Sequence, residues 1–238
     1  MLMKFKKTKK ILKIILFIVL FLFILFNLFP AILFSNSFTF DNFTFYSNQA
    51  IDDEDVKSII NEANALISKS TILNKSNHYK IFLCNKTFYY PLFATIHYQS
   101  FAVTQLHNVI VSSADLKKNQ ALSQRNDNYV RILSSVIAHE IMHINLSQSF
   151  GFLKHKFYYP NWKIEGYCDY IANESSFDFK KGVELMKKGD VDNSISFRYF
   201  KYRQIIRYLI EEKKMTVTDI MGQTLSFKEI EEETKINL

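Results

Sequence analysis

Residues 134–148, SSVIAHEIMHINLSQ, hold two histidines four residues apart, with a glutamate directly after the first. Most of the surrounding residues are apolar or small, and apolar positions recur at helical spacing from Tyr129 onward. On an α-helix, positions i and i+4 lie on one face, one turn apart. His139 and His143 can therefore direct ring nitrogens to one metal ion. The stretch predicts a helix with two metal ligands.

Glu140 lies about 100° around that helix from His139, where its carboxylate can meet a water on the ion instead of the ion itself. A zinc ion acidifies water and polarises a carbonyl, while a carboxylate takes the proton and passes it to the leaving amine. The pattern is therefore typical of metal-dependent peptide hydrolysis. The alternative is a pair of core histidines that form hydrogen bonds with the backbone and bind no metal.

A second helix is predicted over residues 161–174, NWKIEGYCDYIANE, where helical spacing places Glu165 and Asp169 on one face. Glu165 follows His143 by 22 residues, enough for a loop and a returning antiparallel helix. Its carboxylate is the predicted third ligand, and Asp169 can accept the spare ring N–H of a ligand histidine. His155 could compete as third ligand, but no partner pattern supports it, and we expect it in an exposed loop.

His-Glu-x-x-His followed by Glu-x-x-x-Asp resembles the gluzincin group of zinc metallopeptidases. The compact layout resembles its smallest members, the minigluzincins or peptidase-MA-like domains. The resemblance spans roughly residues 50–222, and its specific part is confined to residues 139–169. The metzincin alternative requires glycine and histidine where this chain has Leu146 and Ser149.

The resemblance implies a role for each matching residue. In such enzymes an edge strand above the active-site helix binds the peptide by strand addition, and Val109, Ile110 and Val111 match that place. A hydrogen-bond donor to the oxyanion often follows the third ligand, with Tyr199 and Tyr202 as candidates and packing as their other explanation. The implied site is Zn²⁺ on His139, His143 and Glu165, Glu140 as general base and acid, and Asp169 behind a ligand histidine.

The N-terminus contains a long apolar segment, residues 14–34, without a charge. About 20 apolar residues span a hydrocarbon core of about 30 Å. Six lysines precede the segment and the first acid is Asp41, a bias that keeps the N-terminus cytoplasmic. We predict a transmembrane anchor in residues 1–37 and an extracytoplasmic domain in residues 38–238. A cleaved signal peptide is the alternative.

Composition favours one domain and argues against nucleic-acid binding. The chain has 238 residues, 48% of them hydrophobic, enough for one sizeable core. The net charge is +7, but residues 38–238 carry 24 basic and 23 acidic residues. A nucleic-acid-binding protein is expected to carry its excess charge on the folded domain. Cys84 and Cys168 are predicted to be two buried thiols instead of a disulfide framework.

The remaining pattern predicts an α+β fold: a helix, a short mixed sheet and then helices to the end. The resemblance implies a zincin-like domain, in which the small mixed sheet packs on the active-site helix and a helical part follows. The elements predicted are a linker and first strand in residues 35–50, a helix in 51–70, strands in 79–84, 100–104 and 108–113, an exposed loop in 117–128, and a last short helix from Ser226. We expect a membrane-anchored zinc metallopeptidase that acts on peptides or proteins. The alternative is an inactive, membrane-tethered domain of the same fold that binds a peptide or a protein.

Overall fold

The computed structural model describes residues 2–85, 88–123, 129–190 and 192–237. These residues form an α+β structure with a mixed sheet, a smaller sheet and ten α-helices. The helices are α1 (Leu2–Leu28), α2 (Asp53–Ile67), α3 (Tyr89–Ala94), α4 (Leu133–Phe150), α5 (Phe152–Phe157), α6 (Asn161–Ala172), α7 (Phe179–Lys188), α8 (Ile195–Glu211), α9 (Val217–Gly222) and α10 (Phe227–Ile236). The strands are β1 (Asn36–Phe40), β2 (Phe43–Ser47), β3 (Tyr79–Leu83), β4 (Ala102–Gln105), β5 (Asn108–Val111), β6 (Ala114–Asp115), β7 (Gln120–Leu122) and β8 (Val130–Ile132).

The larger sheet has five strands in the order β1-β2-β3-β5-β4. Strands β2, β3 and β5 run parallel to one another, while β1 and β4 pair antiparallel at the two edges. The smaller sheet, β6-β7-β8, is antiparallel and ends directly before α4. The predicted mixed sheet is therefore confirmed. Its two edge strands are β1 and β4.

The two faces of the larger sheet bury different side chains, because successive residues of a strand point to opposite sides. In β3, Ile81 and Leu83 belong to the main core, which also contains residues of α2, α4 and α6. Phe82 faces the other side and packs with α3 and with Phe34, whose ring centroid is 5.3 Å away. Residues that follow α1 are therefore part of the packing of this second face.

Helix α2 confirms the prediction over residues 51–70. Asp52 caps it, since its carboxylate accepts the backbone N–H groups of Glu54 and Asp55 at 3.0 and 3.2 Å. The positions at helical spacing are buried against the core, as predicted: Val56, Ile59, Ile60, Ala63 and Ile67.

Residues 35–50 differ from the prediction of a linker and one strand. They form the hairpin β1–β2, with Asp41 and Asn42 in its turn and Asp41 at a φ of 51°. Asparagine and aspartate tolerate this left-handed conformation at little cost, which makes the pair a suitable two-residue turn. The alternating aromatic residues on both sides of the turn are the two strands.

The segment before α4 also differs from the prediction. The helical pattern begins at Tyr129, but α4 starts at Leu133 because β8 pairs with β7 first. The predicted loop over residues 117–128 contains β7, and residues 124–128 lie outside the described residues. Strand pairing over a few residues therefore takes precedence over helical periodicity here.

Helix α1 contains one segment, Lys9–Leu28, that is long and apolar enough to cross a membrane, and none of its residues is buried. The helix ends at Leu28, so the apolar run predicted through Phe34 is divided. Pro30–Leu33 form a 3-10 turn in which Pro30 is buried. The part of the run after Leu28 thus connects the helix to the domain.

Candidate metal centre

Helix α4 forms the floor of the site and is buried on most of its surface. It packs between α2, α6 and the edge strand β4, and twelve of its eighteen residues are buried. A helix that is apolar on nearly all sides is typical of a core element. The few polar side chains of α4 are therefore held within the fold and need partners there.

The two histidines of α4 point the same nitrogen atoms toward one another. The Nε2 atoms of His139 and His143 are 3.2 Å apart, one helical turn separating the residues. The two side chains are 11% and 14% exposed, so they lie close to the surface without facing bulk solvent. The ring nitrogens of His139 and His143 therefore converge, as their four-residue spacing predicted.

Helix α6 packs on α4 and brings Glu165 to the same point. Its Oε2 atom lies 3.4 Å from Nε2 of His139 and 3.7 Å from Nε2 of His143. Bonds of about 2.0–2.1 Å at tetrahedral angles place neighbouring donor atoms about 3.3–3.4 Å apart. A point about 2.1 Å from all three atoms lies about 0.7 Å outside the plane of this triangle. The three donors therefore fit a tetrahedral ion with one open position.

Cys168 is a second possible donor from α6. One donor atom each of His139, His143 and Cys168 lie within 4.8 Å of one another, so this group can also hold a metal ion. Burial raises the pKa of the Cys168 thiol well above its usual value, helped by Glu165 and other nearby carboxylates. A thiol must be deprotonated to bind a metal. Glu165 differs from Cys168 in that it is already anionic, and its Oε2 atom lies 3.4 and 3.7 Å from the two Nε2 atoms.

Asp169 contacts the other nitrogen of His139. Its Oδ1 atom accepts from Nδ1 at 2.9 Å, which leaves Nε2 directed toward His143 and Glu165. Burial lowers the pKa of His139, but the charge and hydrogen bond of Asp169 and the hydrogen bond of Glu165 outweigh it and raise the pKa to about 10. The predicted partner of a ligand histidine is therefore in place.

The charge of Glu165 is stabilised by the same rings. Burial raises the pKa of its carboxyl, but the charge of His143 and the hydrogen bonds to both histidines lower it further, to well below the usual range. The carboxylate is thus anionic, as a ligand must be.

Glu140 is buried, with 8% of its surface exposed, and is held by the edge strand. The Oγ1 atom of Thr104 lies 2.7 Å from a carboxylate oxygen of Glu140 and 2.8 Å from its backbone carbonyl oxygen. Glu140 is also among the charges that raise the pKa of His139. Its carboxylate is therefore positioned beside the ligand rings and is connected to β4.

The two candidate tyrosines differ in the groups that surround them. Burial, followed by the charges of Glu165 and Asp169, raises the pKa of Tyr199 to about 12. Tyr202 lies one turn further along α8 and packs edge-on against Phe227 at 5.6 Å. Tyr199 is therefore within the electrostatic range of the site, whereas the packing explanation suits Tyr202.

The predicted substrate strand is wrong in its position. Val109, Ile110 and Val111 lie in β5, which has β3 on one side and β4 on the other, and all three are buried. Their backbone groups are therefore paired within the sheet and are not free to add a strand. The edge that lies against α4 belongs to β4, residues Ala102–Gln105.

His155 is not in an exposed loop as predicted. It is the one half-buried residue of α5, and its Nε2 atom lies 3.4 Å from Nδ1 of His143. Burial and the charge of His143 lower the pKa of His155 to about 4. It contacts the nitrogen of His143 that faces away from Glu165, so it is a neighbour of the ligand ring and not a third ligand.

Two residues of the site carried no sequence signal. Thr104 was recognised only as part of a strand, and Arg131 as part of the approach to α4. The guanidinium of Arg131 contacts Glu174 at 3.1 Å and Asp169 at 3.7 Å. Both residues reach the site through non-local pairing, which the spacing of residues along the chain does not encode.

Asn145 is a buried polar residue of α4 whose side chain is fully hydrogen-bonded. Its side-chain oxygen accepts the backbone N–H of Asn74 at 2.8 Å, and its amide donates to the hydroxyl of Tyr79 and the carbonyl of Ile141. A buried amide with these three bonds is satisfied. It connects α4 to β3 and to the loop before it, which fixes the helix that carries the histidines.

Comparison of the chain with protein-family models, with curated proteins and with solved structures finds no match. The site is therefore interpreted from its own geometry.

Proposed function

We propose that this chain is a membrane-anchored zinc metallopeptidase of gluzincin type. The observation that carries the proposal is the triangle of His139, His143 and Glu165 donor atoms with one position open to a fourth ligand. Two imidazoles and one carboxylate are a donor set that suits Zn²⁺ in hydrolytic sites. Zinc bound there would acidify a water molecule and polarise the substrate carbonyl.

The other residues of the site fit the remaining steps. Glu140 takes the proton from the attacking water and delivers it to the leaving amine. Thr104 holds the Glu140 carboxylate, and Asp169 holds the ring of His139. Tyr199, on which the charges of Glu165 and Asp169 act, is the preferred candidate for donating a hydrogen bond to the oxyanion. The free edge of β4 supports a peptide bound by strand addition, with its backbone paired to the sheet.

The proposed location is a single-pass anchor with a cytoplasmic N-terminus and the domain outside. Six lysines precede residue 14, where the uncharged apolar run begins, and no acid does. Protease added to intact cells or spheroplasts should then digest the domain, and the chain should sediment with membranes in high salt. Protection of the domain from external protease would reverse the proposed orientation.

The test of the activity uses the full chain purified in detergent. We expect about one zinc per chain, and cleavage of a mixed peptide library that a chelator abolishes. Glu140→Gln should retain the metal and lose turnover by a factor on the order of 10² to 10⁴. Glu184→Gln is the matched control, since Glu184 is exposed and pairs only with Lys188 in α7.

Two results would count against the proposal. A wild-type chain that binds zinc but cleaves the library no better than Glu140→Gln would favour the inactive binding domain. A chain that binds no metal under any condition would contradict the metallopeptidase.

A further inference from the structure

Strand β4 has the metal centre on one face and the N-terminal segment on the other. Because side chains alternate along a strand, Thr104 points to Glu140 while its neighbours Val103 and Gln105 point to the opposite side. Val103 packs in the cluster that contains residues 31, 33 and 34. One edge strand therefore connects the candidate active site to the apolar N-terminus.

The contact extends to α1 itself. The side-chain amide of Gln105 donates to Oδ1 of Asn27, which lies in the last turn of the helix. Residues 9–24 of α1 are all exposed, whereas residues 25–27 are partly buried. The helix therefore touches the domain only where its apolar span ends.

The segment between helix and domain is also held in place. The side chain of Asn48 donates to the carbonyl of Leu33 at 2.9 Å and accepts the backbone N–H of Ser35 at 2.8 Å. Phe34 packs against Phe82 in the second face of the sheet. Fixed by these bonds and contacts, the segment differs from a flexible linker, which would let the domain stand away from the membrane.

We propose that the domain is seated directly on the bilayer surface and that its substrates are polypeptide segments within a few residues of the membrane. This inference rests on the proposed peptidase function. The path from Asn27 through Gln105 and Thr104 to the Glu140 carboxylate is at most about 20 Å long. An extended chain covers that distance in about six residues. Leu106, at the tip of the β4–β5 hairpin, is 54% exposed, which suits a side chain in the headgroup layer.

The experiment compares spacer lengths in proteoliposomes that contain the full chain. One cleavable peptide sequence is fused to a transmembrane helix through a Gly/Ser spacer of about 6 or about 40 residues, and the same peptide is also supplied in free form. We expect the short-spacer substrate to be cleaved at least as fast as the long-spacer one. A domain that stands away from the surface would cleave only the long-spacer substrate, which would overturn the proposal.

A variant of the chain distinguishes a domain that lies on the bilayer surface from a domain that is only tethered to the same membrane as its substrate. Insertion of about 20 Gly/Ser residues between Leu28 and Phe29 preserves the packing of Phe34 but frees the domain from α1. It should reduce the ratio of short-spacer to long-spacer cleavage about fivefold to tenfold and leave free-peptide cleavage unchanged. Asn27→Leu removes the contact with Gln105 together with a hydrogen bond to the carbonyl of Phe23 within α1. It should shift the ratio in the same direction by a smaller factor.

The free peptide distinguishes the two proposals. If the insertion variant still cleaves the free peptide and its ratio of short-spacer to long-spacer cleavage is unchanged, only the proposal that the domain lies on the bilayer is overturned. Failure to cleave any substrate, free or anchored, overturns the peptidase function and the seating with it.

Discussion

Helices α1 and α4 are both apolar around most of their circumference, yet their environments are opposite. In α1, none of the residues Lys9–Leu28 is buried, whereas twelve of the eighteen residues of α4 are. The difference lies in their polar residues. Between residues 14 and 28 of α1 the only polar side chain is Asn27. Helix α4 carries His139, Glu140, His143 and Asn145, with partners from five other elements or loops.

The environment of an apolar helix can be inferred from its polar side chains. A polar side chain in a protein core needs a partner from the fold, so its presence signals a built environment. A spanning helix in lipid has few such partners and is depleted of polar residues. The polar positions of α4 are therefore held by partners within the fold, and the scarcity of polar residues in α1 is consistent with the proposed membrane anchor.

The most severe test places the same charge in both helices. Ile137→Lys in α4 buries an unpaired ammonium at a position with no exposure, at a cost of several kcal/mol, comparable with the whole stability of a domain. Leu20→Lys in α1 should leave the thermal unfolding and metal content of the domain unchanged and weaken membrane insertion by about 2.5–3.5 kcal/mol. Thermal melts and membrane fractionation measure both. A folded Ile137→Lys protein would contradict the contrast between the two helices.

The second prediction concerns the metal ligands of α4 and α6. His139→Ala, His143→Ala and Glu165→Ala should each lose most of the bound metal, because high affinity requires all three donors. Cys168→Ala is the matched control on α6 and should retain the metal. Metal content after gel filtration is the measurement. The reverse result, retention in Glu165→Ala and loss in Cys168→Ala, would make Cys168 the third ligand.

The sequence predicted those parts of the structure that depend on local spacing. The convergence of His139 and His143 follows from their separation by one helical turn, and the burial pattern of α2 follows from its 3.6-residue period. The combination of two helices predicted a contact between Asp169 and one of the two histidines, and the structure shows that this histidine is His139. In each case a periodicity within one helix fixed which side chains share a face.

The parts that could not be predicted depend on strand order and on pairing between distant residues. Val109–Val111 were taken for an edge strand, but β4 returns antiparallel along β5 and takes the edge. The partner of Glu140 is therefore Thr104, a residue without a recognisable motif. The β1–β2 hairpin was missed because the Asp41–Asn42 turn was included in a linker, although alternating aromatic residues flank it on both sides.

The third prediction tests the support of a ligand ring. Asp169→Asn keeps the size of the side chain and removes the charge that holds Nδ1 of His139. Losses of about 10-fold to 100-fold in metal affinity or activity are expected for such partners. Competition with a chelator gives the affinity. An affinity equal to the wild type would show that Asp169 is held by Arg131 for structural reasons and does not act on the ring.

The smallest effect is expected at His155, the only residue of α5 that reaches the site. His155→Ala removes a side chain 3.4 Å from Nδ1 of His143, which is long for a hydrogen bond and contributes correspondingly little. We expect metal affinity to fall by less than about tenfold, below the effect of Asp169→Asn. The remaining residues of α5 are exposed, among them Phe152, Leu153 and Phe157, so Lys154→Ala is a matched control that should change nothing. A loss of metal as complete as in Glu165→Ala would instead identify His155 as a ligand, with α5 closing over the ion.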